Sequence, residues 1–273
     1  MSYTRVGFNL PASLSRHFVA RNSRENSKHI LALSSGKRIN SLEDDASGYF
    51  LARGLEANIR GLKQAVKNIE IAGNVLDIAS NSYQTINNLL MNIKEKVVQG
   101  ADDAFTSDQR AAIQGMIDAM VTEIDDSVVE GTFQGKTLID GSFTGQVFQT
   151  GASAGQTFDV DLVAADAATL DVTGLDVSNA ASATTSMATV DNALTTLHRA
   201  MQRAGEYLIR LRARSDALRV TIINTEQTRS GIEDADYART RMREGKSALL
   251  QQMGFSSFKD AIAAPQQVLS LFT

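Results

Sequence analysis

Pro11 and Pro265 are the only prolines in the 273 residues, one near each end, so roughly 250 residues run without the strongest helix breaker. Apolar periodicity fills that span. Leu55, Ile59, Leu62, Val66, Ile69, Gly73, Leu76, Ser80 and Tyr83 alternate steps of four and three, and one shortened step leads on to Ile86, Leu90, Ile93 and Val97. This spacing predicts one helix on the order of 60 Å long, at 1.5 Å per residue. A second seam runs through Val190, Leu194, Leu197, Met201, Ala204, Leu208, Leu211, Ser215, Leu218, Ile222 and Thr225. Such seams demand partner helices.

Between them, Gly100 with Asp102 and Asp103 ends the first helix, and Thr106 or Ser107 can cap another. That next helix carries Ile113, Ile117, Met120, Ile124 and Val128, and so short a link makes it antiparallel to the first. From about 130 to 180 the texture changes to glycine-bounded alternation, as in Val147-Phe148-Gln149 and Phe158-Asp159-Val160-Asp161-Leu162. This predicts short strands and hairpins forming a small surface projection. The fold class is therefore mainly α, a long antiparallel coiled-coil-like bundle of the N- and C-terminal halves with a small β-hairpin region in the middle.

The ends are less self-sufficient. Residues 12–33 hold only a thin stripe (Leu14, Phe18, Ile30, Leu33) on a helix of moderate propensity, marginal on its own. Gly36 ends that helix, and Ser41 with Asp44 has capping-box spacing for the long one. From Tyr237 onward, Met242, Leu249, Leu250, Met253, Phe255, Phe258, Ile262, Val268, Leu269, Leu271 and Phe272 exceed what one helix can hide. An apolar seam continuing into both ends suggests completion by other copies, and head-to-tail contacts that do not close generate helical filaments, the alternative being a soluble helical bundle with frayed ends.

Composition narrows the chemistry. A net charge of −4 removes the attraction that nonspecific nucleic-acid or anionic-membrane binding needs. The six arginines of the second seam helix (Arg199, Arg203, Arg210, Arg212, Arg214, Arg219) read as a solvated or salt-bridged flank. There is no cysteine, and His17, His29 and His198 lack metal-ligand spacing, so neither a cofactor nor a metal is expected. No nucleotide-binding or hydrolase motif occurs, and the carboxylate pairs, including Glu233-Asp234-Asp236, sit where helix ends account for them. No enzyme is expected. The start lacks the apolar stretch of a secretory signal, and no run approaches a membrane span.

Leu33-Ser34-Ser35-Gly36, Arg38-Ile39-Asn40-Ser41, Asp44-Asp45-Ala46, Gly48, and Ile59 with Gly61-Leu62 resemble the N-terminal motif of bacterial flagellins. Ile232-Glu233-Asp234-Ala235-Asp236-Tyr237-Ala238, Leu250-Gln251-Gln252 and Val268-Leu269-Ser270-Leu271 resemble the C-terminal one. The resemblance, over about 28–140 and 187–273, implies an inner layer of residues 1–45 with 234–273 lining the filament. It also implies an outer α-helical domain over 46–233, without large variable outer domains. It implies a polymerisation interface at Leu14, Phe18, Leu33, Leu249, Leu250, Met253, Phe258 and Leu269, and a hinge held by Arg38, Asn40, Asp44 and Asp45.

Implied partners are other copies, an export chaperone, a cap protein and hook-filament junction proteins, with type III export to an extracellular flagellum. Asn92 and Lys96 depart from the arginine and leucine of the site that resembles the one read by a Toll-like receptor, and Met116 stands in place of its acidic partner. Weak or absent receptor activation is the expectation. Pro11 departs too, and is expected to shift the start of the inner helix. A hook-filament junction protein resembles flagellin at its ends, but its hinge usually reads Asp-Asp-Pro where this chain has Asp44-Asp45-Ala46. A secreted adhesin or immune-modulating protein would instead place function in the 130–180 loops.

Overall fold

The computed structural model describes residues 9–270, with side-chain surroundings as far as 263. In chain order the elements are α1 (Leu10–Ser35), α2 (Ala46–Gly100), α3 (Ser107–Glu130), β1 (Thr132–Phe133), β2 (Lys136–Thr137), β3 (Gln146–Gln149), β4 (Thr157–Val160), α4 (Ala180–Glu233) and α5 (Tyr237–Ser270). Their ends follow local chemistry. The Asn9 side chain accepts from the Ala12 amide and Pro11 sits in the first turn of α1, where its missing N–H costs nothing. Gly36 closes α1 at φ 72°, a left-handed conformation that suits a residue without Cβ. α2 begins at Ala46, nine residues before the first seam residue Leu55. Its 55 residues span about 80 Å, longer than the seam alone predicts.

The Ser41–Asp44 expectation needs correcting. Asp45 caps α2, its carboxylate accepting from the Gly48 amide at 2.9 Å. Asp44 instead closes the preceding turn, accepting from the Asn40 and Ser41 amides at 3.1 and 3.0 Å. Two carboxylates in sequence allow either register, and the turn takes the first.

The chain divides into a terminal unit, the described residues of Met1–Ala57 and Asn224–Thr273, and a central unit, Asn58–Ile223. In the central unit α2 and α4 run antiparallel, tied by Lys94–Asp191 at 2.6 Å, Asn87 with His198 at 3.0 Å, and Glu70–Arg219 at 2.8 Å. α3 turns back along α2 through a full capping box of Thr106 and Gln109. Arg110, itself buried, donates to the carbonyls of Gly100, Asp102 and Phe105, supplying partners where α2 runs out. The predicted seams form the core: Ile69, Leu76, Tyr83, Ile86, Leu90, Ile93 and Val97 meet Ile113, Ile117, Ile124, Val190, Leu197 and Leu211. Of the α4 arginines, Arg219 pairs with Glu70, Arg210 lies over the Phe158 ring, and Arg214 donates to the Thr157 carbonyl.

The middle region forms two antiparallel hairpins, β1–β2 and β3–β4. Gln134 and Gly135, both at positive φ, make the tight two-residue turn between β1 and β2. The region does not project. Leu138, Ile139, Phe143, Phe158, Val160, Leu162, Leu170, Val172 and Val177 are buried in the same core as the helices. Phe158 and Val160 of β4 share one face and are buried, and an apolar face must find a partner surface.

Tyr83 is the largest fully buried side chain, and its hydroxyl donates to the Val163 carbonyl at 2.5 Å. Tyr83→Phe leaves that carbonyl unpaired and is expected to destabilise the central unit by about 1–3 kcal/mol. Burial pushes the hydroxyl up to about 12 from 10.0. A raised value means the contribution is full below 10.0 and is lost as pH climbs towards about 12. Urea denaturation over that range is expected to show the loss in the wild type and not in Tyr83→Phe.

Candidate functional site

Two features of the terminal unit stand out, a buried ion-paired turn and an open apolar surface. The turn is organised around Glu233, the last residue of α4, whose side chain is only 2% exposed. One carboxylate oxygen accepts from Lys37 at 2.7 Å and Arg53 at 2.9 Å, and the other pairs with Arg229 at 3.4 Å. Arg53 is also bound to Glu56 and stacked over the Tyr49 ring. The backbone repeats the connection: the Arg38 and Ile39 amides donate to the Glu233 carbonyl at 2.7 and 3.3 Å, and the Ala235 amide donates to Gly36 at 2.9 Å. The segment after α1 is thus bound to the α4–α5 link. Charge-assisted bonds to a dry carboxylate are strong when several donors share it.

The predicted hinge residues surround this centre. Arg38 donates to the Ile232 carbonyl at 2.6 Å and lies 3.8 Å from Asp45. Asn40 donates to the Lys37 carbonyl at 2.8 Å, and Lys28 pairs with Asp44 at 3.2 Å. Burial works to raise the Asp44 carboxyl, but the bonds from Asn40, Ser41 and Lys28 outweigh it and hold it below 3.8. Sequence alone does not single out Glu233, Lys37, Arg53 and Arg229 for this role. The i,i+4 spacing of Arg229 and Glu233 is the available signal, while the pairings with Lys37 and Arg53 bridge distant parts of the chain.

The apolar surface follows from what the two helices lack. α1 and α5 run antiparallel, with Asn9 donating to the Ala261 carbonyl at 2.7 Å. A Cβ on Gly254 would come within 2.9 Å of Val19, so the helices approach closely there. Yet among the described residues of this unit the buried apolar side chains are only Ala32, Ile39 and Ala52. Leu14, Phe18, Leu249, Leu250 and Met253 are exposed at 50, 47, 63, 41 and 68%. Leu33 and Phe258 are half-buried, and the side chain of Leu269 lies outside the described residues. Phe50 and Leu51, at the start of α2, are also exposed, although the sequence pattern does not point to them.

In the central unit, Asn92 and Met116 are exposed, and Lys96 is half-buried and donates to Gln99 at 3.4 Å. Among the described residues no carboxylate–histidine group could hold a metal ion, and no helix is long and apolar enough to cross a membrane.

A mainly helical chain with an enclosed central core, an apolar terminal helix pair and, among the described residues, no metal-binding cluster has the build of a structural protein. Comparison with known proteins agrees. Residues 6–144 match the family described as bacterial flagellin N-terminal helical region, and 187–272 match bacterial flagellin C-terminal helical region. A flagellar filament core protein, flaB2 of Brachyspira hyodysenteriae, is 28% identical over 90% of this chain and 91% of its own length. The crystal structure of Bacillus cereus flagellin superposes with a TM-score of 0.51 at 18% identity, over 56% of this chain and 88% of that one. A structure described as a flagellar hook-associated protein of Vibrio parahaemolyticus gives 0.60 at 17% identity, over 70% of this chain and 100% of that one. The chain belongs to the bacterial flagellin family. It is a structural subunit that self-assembles into the flagellar filament outside the cell, and it is not an enzyme.

Glu233→Gln removes the carboxylate that Lys37, Arg53 and Arg229 share, leaving only Glu56 beside Arg53, and is expected to cost the terminal unit about 3 kcal/mol. Hydrogen exchange at the Arg38, Ile39 and Ala235 amides checks this, since they bridge the turn and are expected to lose protection together. Unchanged protection would contradict a structural role for the buried carboxylate.

Proposed function

We propose that the terminal helix pair is the polymerisation element. Residues 1–45 with 234–273 form the inner layer of the filament and 46–233 the outer layer. The observation that carries this reading is the contrast in burial: the central unit encloses its apolar residues, while Leu14, Phe18, Leu249, Leu250 and Met253 stay exposed on helices with almost no core of their own. Burying one such side chain contributes roughly 1.5–3 kcal/mol. Repeated contacts between copies therefore supply what a single chain lacks.

The turn around Arg38, Asn40, Asp44, Asp45 and Glu233 fixes the path of the chain from α1 into α2, so that every subunit enters the lattice in one conformation. Before assembly the exposed ends require cover, which is the role we assign to an export chaperone. A cap protein at the tip and junction proteins at the base would offer the same ends matching apolar surfaces. With Asn92, Lys96 and Met116 at the diverged positions, the outer layer activates the Toll-like receptor weakly or not at all, and a reporter-cell assay with purified monomer checks this.

Leu249→Ala, Met253→Ala and Phe258→Ala are expected to reduce seeded polymerisation strongly while leaving most of the helical signal of the monomer. Sedimentation with negative-stain microscopy reads the first effect and circular dichroism the second. Equal loss of both would contradict the separation of roles, and filaments from a chain lacking 1–45 and 234–273 would place the interface elsewhere.

A further inference from the structure

The helix pair of the terminal unit is apolar on two sides, and the sides differ in shape. On one, Ser15, Phe18, Arg21 and Asn22 of α1 and Leu250, Met253, Gly254 and Ser257 of α5 line an open groove of about 390 Å³. Gly254, where the two helices approach closely at Val19, is among its lining residues. Phe18, with Arg21 over its ring at 5.3 Å, and Met253 make its apolar walls. Elsewhere on α5, Phe255 and Ile262, spaced by seven residues, project at 53 and 45% exposure. At 100° per residue Phe255 lies roughly 140–160° around the helix from Leu250 and Met253. Gly254 and Ala261, which face α1, fall between the two directions.

We propose that the Phe255–Ile262 ridge of one copy seats in the Phe18–Leu250–Met253 groove of the next. This rests on the reading of the terminal pair as the polymerisation element. The occupant is a second copy because the chain is a self-assembling subunit and because each copy carries both halves of the contact. Ridge and groove overlap along α5 with their centres about five residues, or roughly 8 Å, apart, so the contact joins neighbours side by side with a stagger. Their opposed directions make it heterologous: every copy that fills a groove presents an empty one, so the contact continues instead of closing into a dimer. The groove is large enough for a phenyl ring, with Ser15 and Ser257 among its polar lining residues and Asn22 buried beneath it.

The chain contains no cysteine, so introduced thiols report without background. Full-length Lys259→Cys carries a thiol beside the ridge and full-length Ser15→Cys one at the groove, each leaving the contacting apolar residues intact. Equal amounts are copolymerised on seeds and treated with a short bismaleimide. The contact predicts a Ser15→Cys to Lys259→Cys heterodimer as the dominant product, lost with Phe255→Ala in the Lys259→Cys chain, and little homodimer in filaments of either variant alone. Normal filaments with no heterodimer would overturn the contact while leaving the terminal pair as the polymerisation element. A terminal unit that plays no part in assembly would appear separately, as filaments from the chain lacking both ends.

Discussion

Two helices lying side by side bury one seam between them and nothing else. The terminal unit is subject to that geometric limit. Its seam is narrow, with Val19 against Gly254, Ala32 buried, and the polar Asn22 and Ser247 among its interior residues. Small and polar side chains let helices approach closely but supply little apolar burial. The larger residues, Phe18, Leu249, Met253 and Phe255, therefore face outward. The central unit escapes the limit by adding α3 and the hairpin region to the α2–α4 pair, so that Tyr83, Leu90 and Ile117 are enclosed on every side. One chain thus contains a unit that encloses its apolar residues and a unit that leaves many of them exposed.

This division has a functional logic. A subunit that is exported and then polymerises must not assemble before it arrives, and under the proposal that the terminal pair is the polymerisation element, its marginal stability ties order to the presence of neighbours. The buried Glu233 works in the opposite sense. With Lys37, Arg53 and Arg229 around it, it fixes one turn firmly inside the otherwise open unit. Buried ion pairs often add little net stability but select one arrangement over its competitors. In a repeating assembly, a subunit held to one turn conformation presents the same surfaces at every site.

The long helices were legible because apolar steps of three and four, sustained over many turns, match the helical period and cannot line one face of a strand, whose period is two. The ends of α1 and α3 were legible from Gly36 and Thr106. The role of the middle region was not. Alternation at Val147–Gln149 and Phe158–Leu162 announces strands, but which surface they cover depends on the space left by α2, α3 and α4. The site was half legible. Arg38, Asn40, Asp44 and Asp45 lie in one short stretch that the family resemblance marks, whereas Glu233 gains its importance from residues far away in the chain. The outward apolar residues of α1 and α5 were visible as an excess over what one helix can hide.

The central claim is that the terminal helices owe their order to neighbouring copies while the central unit does not. Hydrogen exchange of α1, α5 and the core segments of α2 and α4, compared between monomer and filament, tests it most directly. The account predicts fast exchange in α1 and α5 of the monomer, strong protection of both in the filament, and protection of the Ile69–Val97 segment in both states. Strong protection of α1 and α5 in the monomer, unchanged by assembly, would contradict it.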